Sequence, residues 1–239
     1  MQRSRTGEAF LLGLFIFLGL AALGYLVSET ALKVKGMDRI VTVKGLAERE
    51  VPADIAIWPV GFNEAGNDLE QLYADVGNKS DIIVAFLKQQ GFGNDEITLS
   101  PPSVIDRQAQ NYGNSNNIAF RYTASAVVTV YSRQVERVRE AMKQVSGLGK
   151  RGIALAGQNY ENRTQFLFTG LNALKPTMIE DATKNAREVA VKFAKDSNST
   201  LGKIKTARQG QFTISDRDSS TPYIKKIRVV STLEYYLSD

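Results

Sequence analysis

The groups in this chain with most chemical capacity are carboxylates and amines, because its 239 residues include neither histidine nor cysteine. Asp95-Glu96 and Glu180-Asp181 are adjacent acidic pairs, Asp54 stands in VPAD, and Lys175 precedes Pro176. Two carboxylates facing one space can divide acid and base work or hold a divalent ion. Neighbours on a helix do not face each other, so Glu180-Asp181 makes a poor metal cup. Asp54 reads as a turn or bulge residue accepting nearby backbone N–H groups, and Lys175 as a solvated amine at a helix start. The missing histidine removes the usual neutral-pH base and the commonest metal ligand. With cysteine also absent, His/Cys zinc sites and Ser-His or Cys-His nucleophiles cannot be built. Neither a Walker loop nor GxSxG occurs. The expectation is no catalytic residue, no cofactor and no metal, with a carboxylate-based hydrolase as the enzymatic alternative.

Net charge is mild, +5, but unevenly spread. Residues 28–133 carry 10 Lys/Arg against 13 Asp/Glu, a net of −3, whereas 134–239 carry 18 against 11, a net of +7. Such a split suits a nucleic-acid face or complementary surfaces for self-assembly, beside the plain reading of scattered solvated charge. Lys184, Arg187, Lys192 and Lys195 fall on the polar side of a helical pattern. They are candidate contacts to the acidic half of a neighbouring copy, with a solvated face or a phosphate site as alternatives. Tyr122, Tyr131, Tyr235 and Tyr236 occupy strand positions, where core or interface comes before a base-stacking platform. No nucleic-acid partner is expected.

These side chains must be positioned by a chain that begins with an apolar run. Residues 9–27, AFLLGLFIFLGLAALGYLV, carry no charge. A bilayer-crossing helix needs about 20 apolar residues, whereas a signal peptide uses roughly 7–15 followed by small ones. The run has nearly the spanning length. The weak cleavage site Ala22-Leu23-Gly24 is followed by more apolar residues, so a retained anchor is expected over a cleaved signal. Arg3 and Arg5 before the run nearly balance Lys33, Lys35 and Arg39 after it. Large C-terminal domains translocate largely regardless of flanking charge. The expected layout is a cytoplasmic tail over 1–8, the anchor over 9–27, a connector over 28–38, and an extracytoplasmic domain over 39–239. A chain without cysteine fits an oxidising compartment without requiring one.

Period-two patterning predicts strands at 39–44 and 55–62, with Gly45 and Pro52 bracketing a turn and Pro59 marking an edge or bulge. A helix is expected over 68–90, with Leu69, Leu72, Tyr73, Val76, Ile83, Phe86 and Leu87 as its apolar stripe. A strand at 97–107, a polar loop at 108–117 and a long strand at 118–131, with Phe120, Tyr122, Ala124, Ala126 and Val128 on one face, follow. A short helix at 134–146 ends at Gly147 and Gly149, before strands at 153–155 and 158–169. Pro176 is expected in the first turn of a helix reaching Ser197. Its buried face would be Met178, Ile179, Ala182, Ala186, Val189, Ala190, Phe193 and Ala194. Strands at 201–215 and 223–237 complete the chain. Stretches 55–131 and 158–237 therefore both read βαββ, and the fold class is α+β with largely antiparallel sheet.

VTVKGLAEREVPADIA, GFGNDEIT, YTASAVVTV and ALKPTMIEDATKNAREVAVKFA followed by LGKI resemble the SIMPL domain family of bacterial periplasmic and envelope immunogenic proteins. The resemblance spans about 40–236. It implies export, self-assembly into ring- or channel-like oligomers and a link to envelope or oxidative stress, with no established catalysis or cofactor. Combined with the anchor, it predicts a single-pass inner-membrane protein whose domain lies in the periplasm. Its partners would be copies of itself and the lipid bilayer around residues 9–27. A periplasmic small-molecule or lipid binder is the alternative.

Overall fold

In the computed structural model of this chain, residues 4–36, 39–109, 119–157 and 162–238 are described. Helix and strand are mixed, and the recorded strand pairings are antiparallel. The first element, α1 (Ser4–Gly36), contains one helix long and apolar enough to cross a membrane, Ala9–Thr30, and none of that stretch is buried. The span runs three residues beyond the charge-free run because Ser28 and Thr30 continue the helix, the Thr30 hydroxyl donating to the Leu26 carbonyl at 2.7 Å.

The chain forms two compact units that interleave in sequence. One comprises Met1–Glu48, Lys175–Thr213 and Arg228–Asp239; the other comprises Arg49–Leu174 and Ile214–Ile227. They are called the anchor-bearing unit and the second unit below.

The second unit is built on a sheet ordered β3-β5-β2-β6, with β4 also pairing β5. Its strands are β2 (Ile55–Gly66), β3 (Ile97–Leu99), β4 (Ser103–Asp106), β5 (Tyr122–Ser132) and β6 (Gln165–Leu167). The register Trp58↔Val130, Val60↔Val128 and Phe62↔Ala126 puts even-numbered residues of both long strands on one buried face. Helices α2 (Leu69–Gln89) and α3 (Val135–Gln144) supply Leu72, Ile83, Leu87 and Val138 to that core. Asp68 caps α2 by accepting the Gln71 N–H at 2.8 Å, and Gly91 ends it with φ +89.

Several expectations change here. Leu69 and Tyr73 are 42% and 49% exposed, because the buried stripe of α2 runs through Leu72, Val76, Ile83 and Leu87 and leaves them at its side. Pro59 lies in an interior strand, yet its edge-like character is real. Gly61 and Asn63 aim their backbone groups away from β5, toward Ala156 and Ala154, and period two places Pro59 likewise. On that side β6 has already ended at its Ile57↔Gln165 pair, so no donor is missed. The expected strand at 97–107 breaks into β3 and β4 at Pro101-Pro102, which lack N–H groups for a ladder. Phe120 lies before β5 and is 49% exposed. Gly147 and Gly149 do not stop α3; the chain continues as a 3₁₀ turn, Val145–Arg151, to Gly152 at φ +78. Residues 153–155 reduce to a bridge, Phe62↔Leu155. Of the strand expected at 158–169, β6 covers Gln165–Leu167, while 158–161, like most of the polar loop 108–117, lies outside the described residues.

The anchor-bearing unit packs α4 (Leu171–Asp196) on a sheet ordered β1-β9-β7, with β8 pairing β9. The strands are β1 (Ile40–Pro52), β7 (Thr200–Gln209), β8 (Thr213–Asp216) and β9 (Ile224–Ser238). The expected turn at Gly45 is absent, and β1 runs unbroken to Pro52. Gly45 has a packing reason instead. A Cβ there would overlap the Ala182 carbonyl and the Ala186 nitrogen, and would stand 2.8 Å from the Ala186 Cβ. The buried stripe of α4 is Met178, Ala182, Ala186, Ala190 and Ala194, and its four alanines let the helix approach the strand. Val189 and Phe193 were expected beneath the helix but are 37% and 56% exposed. A surface approached that closely has no room for them. Pro176 lies inside α4, which begins five residues earlier than expected. The predicted strand 201–215 divides at Gly210, whose N–H donates to the Val230 carbonyl at 2.8 Å.

Candidate functional site

Three of the four candidate contact residues come together. Lys184, Arg187 and Lys192, with Glu188 and Val191, line an open depression of about 490 Å³ on the outer side of α4. Helical periodicity explains the grouping, since 184, 187, 188, 191 and 192 recur at three- and four-residue steps. Val191 is 49% exposed, so the depression has an apolar element inside a cationic rim. Lys195 follows about one turn later, toward the C-terminal end of the helix. Among the described residues these four cations make no ion pair.

A patch of opposite character lies on the second unit. The start of α2 exposes Leu69 and Tyr73 beside Asp68 and Glu70. Leu69 and Tyr73 are four residues apart and therefore share a face. Sequence periodicity had assigned both to the core, so this patch was missed; the acidic cap around them was the available signal.

The carboxylates do structural work. Asp54 accepts the Thr169 N–H at 2.8 Å and its hydroxyl at 2.9 Å, tying the β1–β2 turn to the segment after β6. The turn reading of Asp54 thus holds, but its partner is 115 residues away rather than local. Glu96 accepts the Gly93 N–H at 3.0 Å. Partial burial opposes ionisation of Glu96, yet the Ser132 hydroxyl, the Gly93 N–H and Arg137 together hold it below the usual carboxylate range. Asp95 and Glu96 share a 3₁₀ turn, and Glu180 and Asp181 are exposed on α4. Lys175 is half-buried in α4 rather than solvated at its start. Among the described residues no group of three or more acidic side chains could hold a metal ion.

The tyrosines are not one cluster. Tyr122 stacks under Arg121 at 4.8 Å, and Tyr131 lies nine residues further along β5, roughly 30 Å away by strand rise. Tyr235 is buried and Tyr236 exposed on β9. GLGKRG at 147–152 has a GxGxxG spacing. It lies in the 3₁₀ turn after α3 and not between a strand and a helix, so a dinucleotide loop is not formed.

Two open pockets are lined by described residues of the second unit. One, about 320 Å³, is lined by Arg163, Thr164, Phe166, Asp216, Pro222 and Lys225. Lys225, 7% exposed, pairs with Asp216, which Arg163 also approaches at 3.5 Å. Among the described residues the buried Thr164 hydroxyl has no partner. The other, about 440 Å³, contains the Glu64–Lys79 ion pair.

An α+β domain behind an apolar N-terminal helix is the class of protein this geometry defines. The family model described as SIMPL, a protein of unknown function (DUF541), matches residues 41–231. The chain belongs to that family. Comparison with curated proteins finds no match.

Proposed function

We propose that this chain is a single-pass membrane protein of the bacterial envelope whose periplasmic domain assembles with copies of itself and catalyses nothing. The observation carrying this reading is the outer depression on α4, apolar at Val191 and rimmed by Lys184, Arg187 and Lys192, which make no ion pair among the described residues. The exposed start of α2, with Leu69 and Tyr73 among Asp68 and Glu70, is its chemical complement. Because the two patches differ, the contact is head-to-tail, which closes into a ring when the rotation permits. Exposed ion pairs contribute about 0–1 kcal/mol each, so charge steers the contact while apolar side chains hold it. Anchors on one side keep all subunits parallel. The stress link rests on the family resemblance.

The absence of native cysteine makes the test direct. Full-length Tyr73→Cys and Val191→Cys chains, mixed in mild detergent and oxidised, should form a disulfide-linked pair, and neither alone should do so. Lys184→Glu with Arg187→Glu should slow assembly at low salt, less so at 1 M, where the Debye length is about 3 Å. A wild-type chain that sizes as a monomer in detergent ends the proposal.

A second reading, a small-molecule binder, has one observation in its favour: the Thr164 hydroxyl at the 320 Å³ cavity, which has no partner among the described residues. Native mass spectrometry should then find a retained small molecule that Thr164→Val loses.

A further inference from the structure

We infer that the end of the anchor-bearing unit nearest α1 is a docking surface for anionic phospholipid headgroups of the bilayer that holds α1. The inference rests on the reading of α1 as a retained anchor.

Chain connectivity identifies that end. The Leu237 N–H donates to the Arg39 carbonyl at 2.8 Å, the Arg39 guanidinium to the Ser199 hydroxyl at 3.1 Å, and the Thr200 hydroxyl to the Ser238 carbonyl at 3.0 Å. The start of β1, the exit of α4, the start of β7 and the end of β9 therefore meet where the chain arrives from the membrane. The span ends at Thr30 and α1 at Gly36. Six helical residues at 1.5 Å each, then three extended steps, hold Arg39 within about 20 Å of the span. The opposite end of α4, a helix of 26 residues, lies about 39 Å from this end along the helix axis.

What this end exposes suits a headgroup layer. Lys195 lies in the last turn of α4, and Lys203 and Lys205 are exposed on β7. Asp196 is the acidic neighbour on the helix, and half-buried Glu234 on β9 pairs with Thr206, level with Lys205. Two aromatic rings accompany these cations. Phe193 is 56% exposed, and Tyr236 is 36% exposed with the Lys205 ammonium 5.7 Å above its ring. Exposed aromatic side chains beside long amines are the composition of membrane-interface belts: the ring enters the polar–apolar boundary while the amine reaches phosphate. Neither ring has a role in the unit's own core, whose buried members are Val43, Ala186, Ala190, Leu233 and Tyr235. The depression on α4 is lined by Lys184, Arg187, Glu188, Val191 and Lys192, so lipid docking and self-assembly use different residues.

The test uses the full chain in phosphatidylcholine vesicles with and without phosphatidylglycerol, the headgroups carrying a nitroxide quencher. A fluorophore on Ser197→Cys reports the docking end. One on Thr177→Cys, twenty residues toward the other end of α4 and about 30 Å away by helical rise, is the control. Docking predicts quenching at 197 that rises when phosphatidylglycerol is present, and none at 177. Each basic residue near an anionic surface is worth about a fivefold preference. Lys195→Gln, Lys203→Gln and Lys205→Gln together should therefore lower the docked population ratio roughly a hundredfold, while the chain still floats with the vesicles. Equal quenching at 197 with and without phosphatidylglycerol, or equal quenching at 197 and 177, overturns the docking surface and leaves the anchor standing. A chain that fails to float with vesicles overturns the anchor and the docking surface together.

Discussion

Gly45→Ala tests the central packing claim of the anchor-bearing unit. The added methyl would overlap backbone atoms of α4 at Ala182 and Ala186, and backbone cannot swing aside as a side-chain tip can. Helix and strand must separate by about 1 Å or more, which loosens the whole stripe of Ala182, Ala186, Ala190 and Ala194, each at most 2% exposed. Overpacking of this kind costs typically 1–3 kcal/mol. In a unit of around 100 residues, 1 kcal/mol moves the melting temperature by about 4–8 °C, so a fall of roughly 5–20 °C is expected. The assay is a far-UV circular dichroism melt of the full chain in detergent. Gly77→Ala is the control of opposite sign: it sits within α2 with nothing within 4 Å of a built Cβ, and helix propensity predicts a gain of about 0.5–1 kcal/mol. If Gly45→Ala melts with or above the wild type, the close approach of α4 to β1 is wrong. A loss in both variants would show that the effect is not specific to that contact.

The mature protein should keep residues 1–27 and stay with membranes through alkaline washing; an intact mass showing a new N-terminus near Tyr25 would end the anchor reading. Asp54→Ala removes the acceptor of the Thr169 N–H and hydroxyl, an expected loss of about 1–3 kcal/mol read by fluorescence of Trp58, buried in the same unit. The Asp218 carboxyl is depressed to about 2, first by the Thr221 hydroxyl and then by Arg217. Its lowered value means this turn is favoured above the ordinary carboxylate range, near pH 4, and loses that support as pH falls through about 2. A carboxyl carbon NMR titration should show this, with Thr221→Val moving the midpoint upward. Chelators should leave the melt unchanged, and a stoichiometric bound zinc in an elemental assay would contradict that.

Much of the architecture was legible in local pattern. The apolar run predicted α1, the spacing of Leu72, Val76, Ile83 and Leu87 with Asp68 before them predicted α2, and alternation predicted β5 and β9. Each signal is contained within one segment, because helical and strand periods are properties of a few consecutive residues. Carboxylates in turns were legible for the same reason. The tertiary structure decided what touches what. Gly45 reads as a turn residue until α4 is laid across it. Val189 and Phe193 read as core until an alanine stripe brings the helix too close to the strand for larger groups. β6 sits in a stretch that repeats the order of the first, yet it pairs with Ile55–Ile57 of β2, more than a hundred residues earlier. β9 joins β1 to β7 across most of the chain. Hydrogen-bonding edges are chemically alike in every strand, so the choice of partner depends on which faces must be buried together. That balance is set by the assembled core rather than by any one segment. The grouping of Lys184, Arg187 and Lys192 came from the helix and was readable; the exposure of Leu69, Tyr73 and Phe193 came from packing and was not.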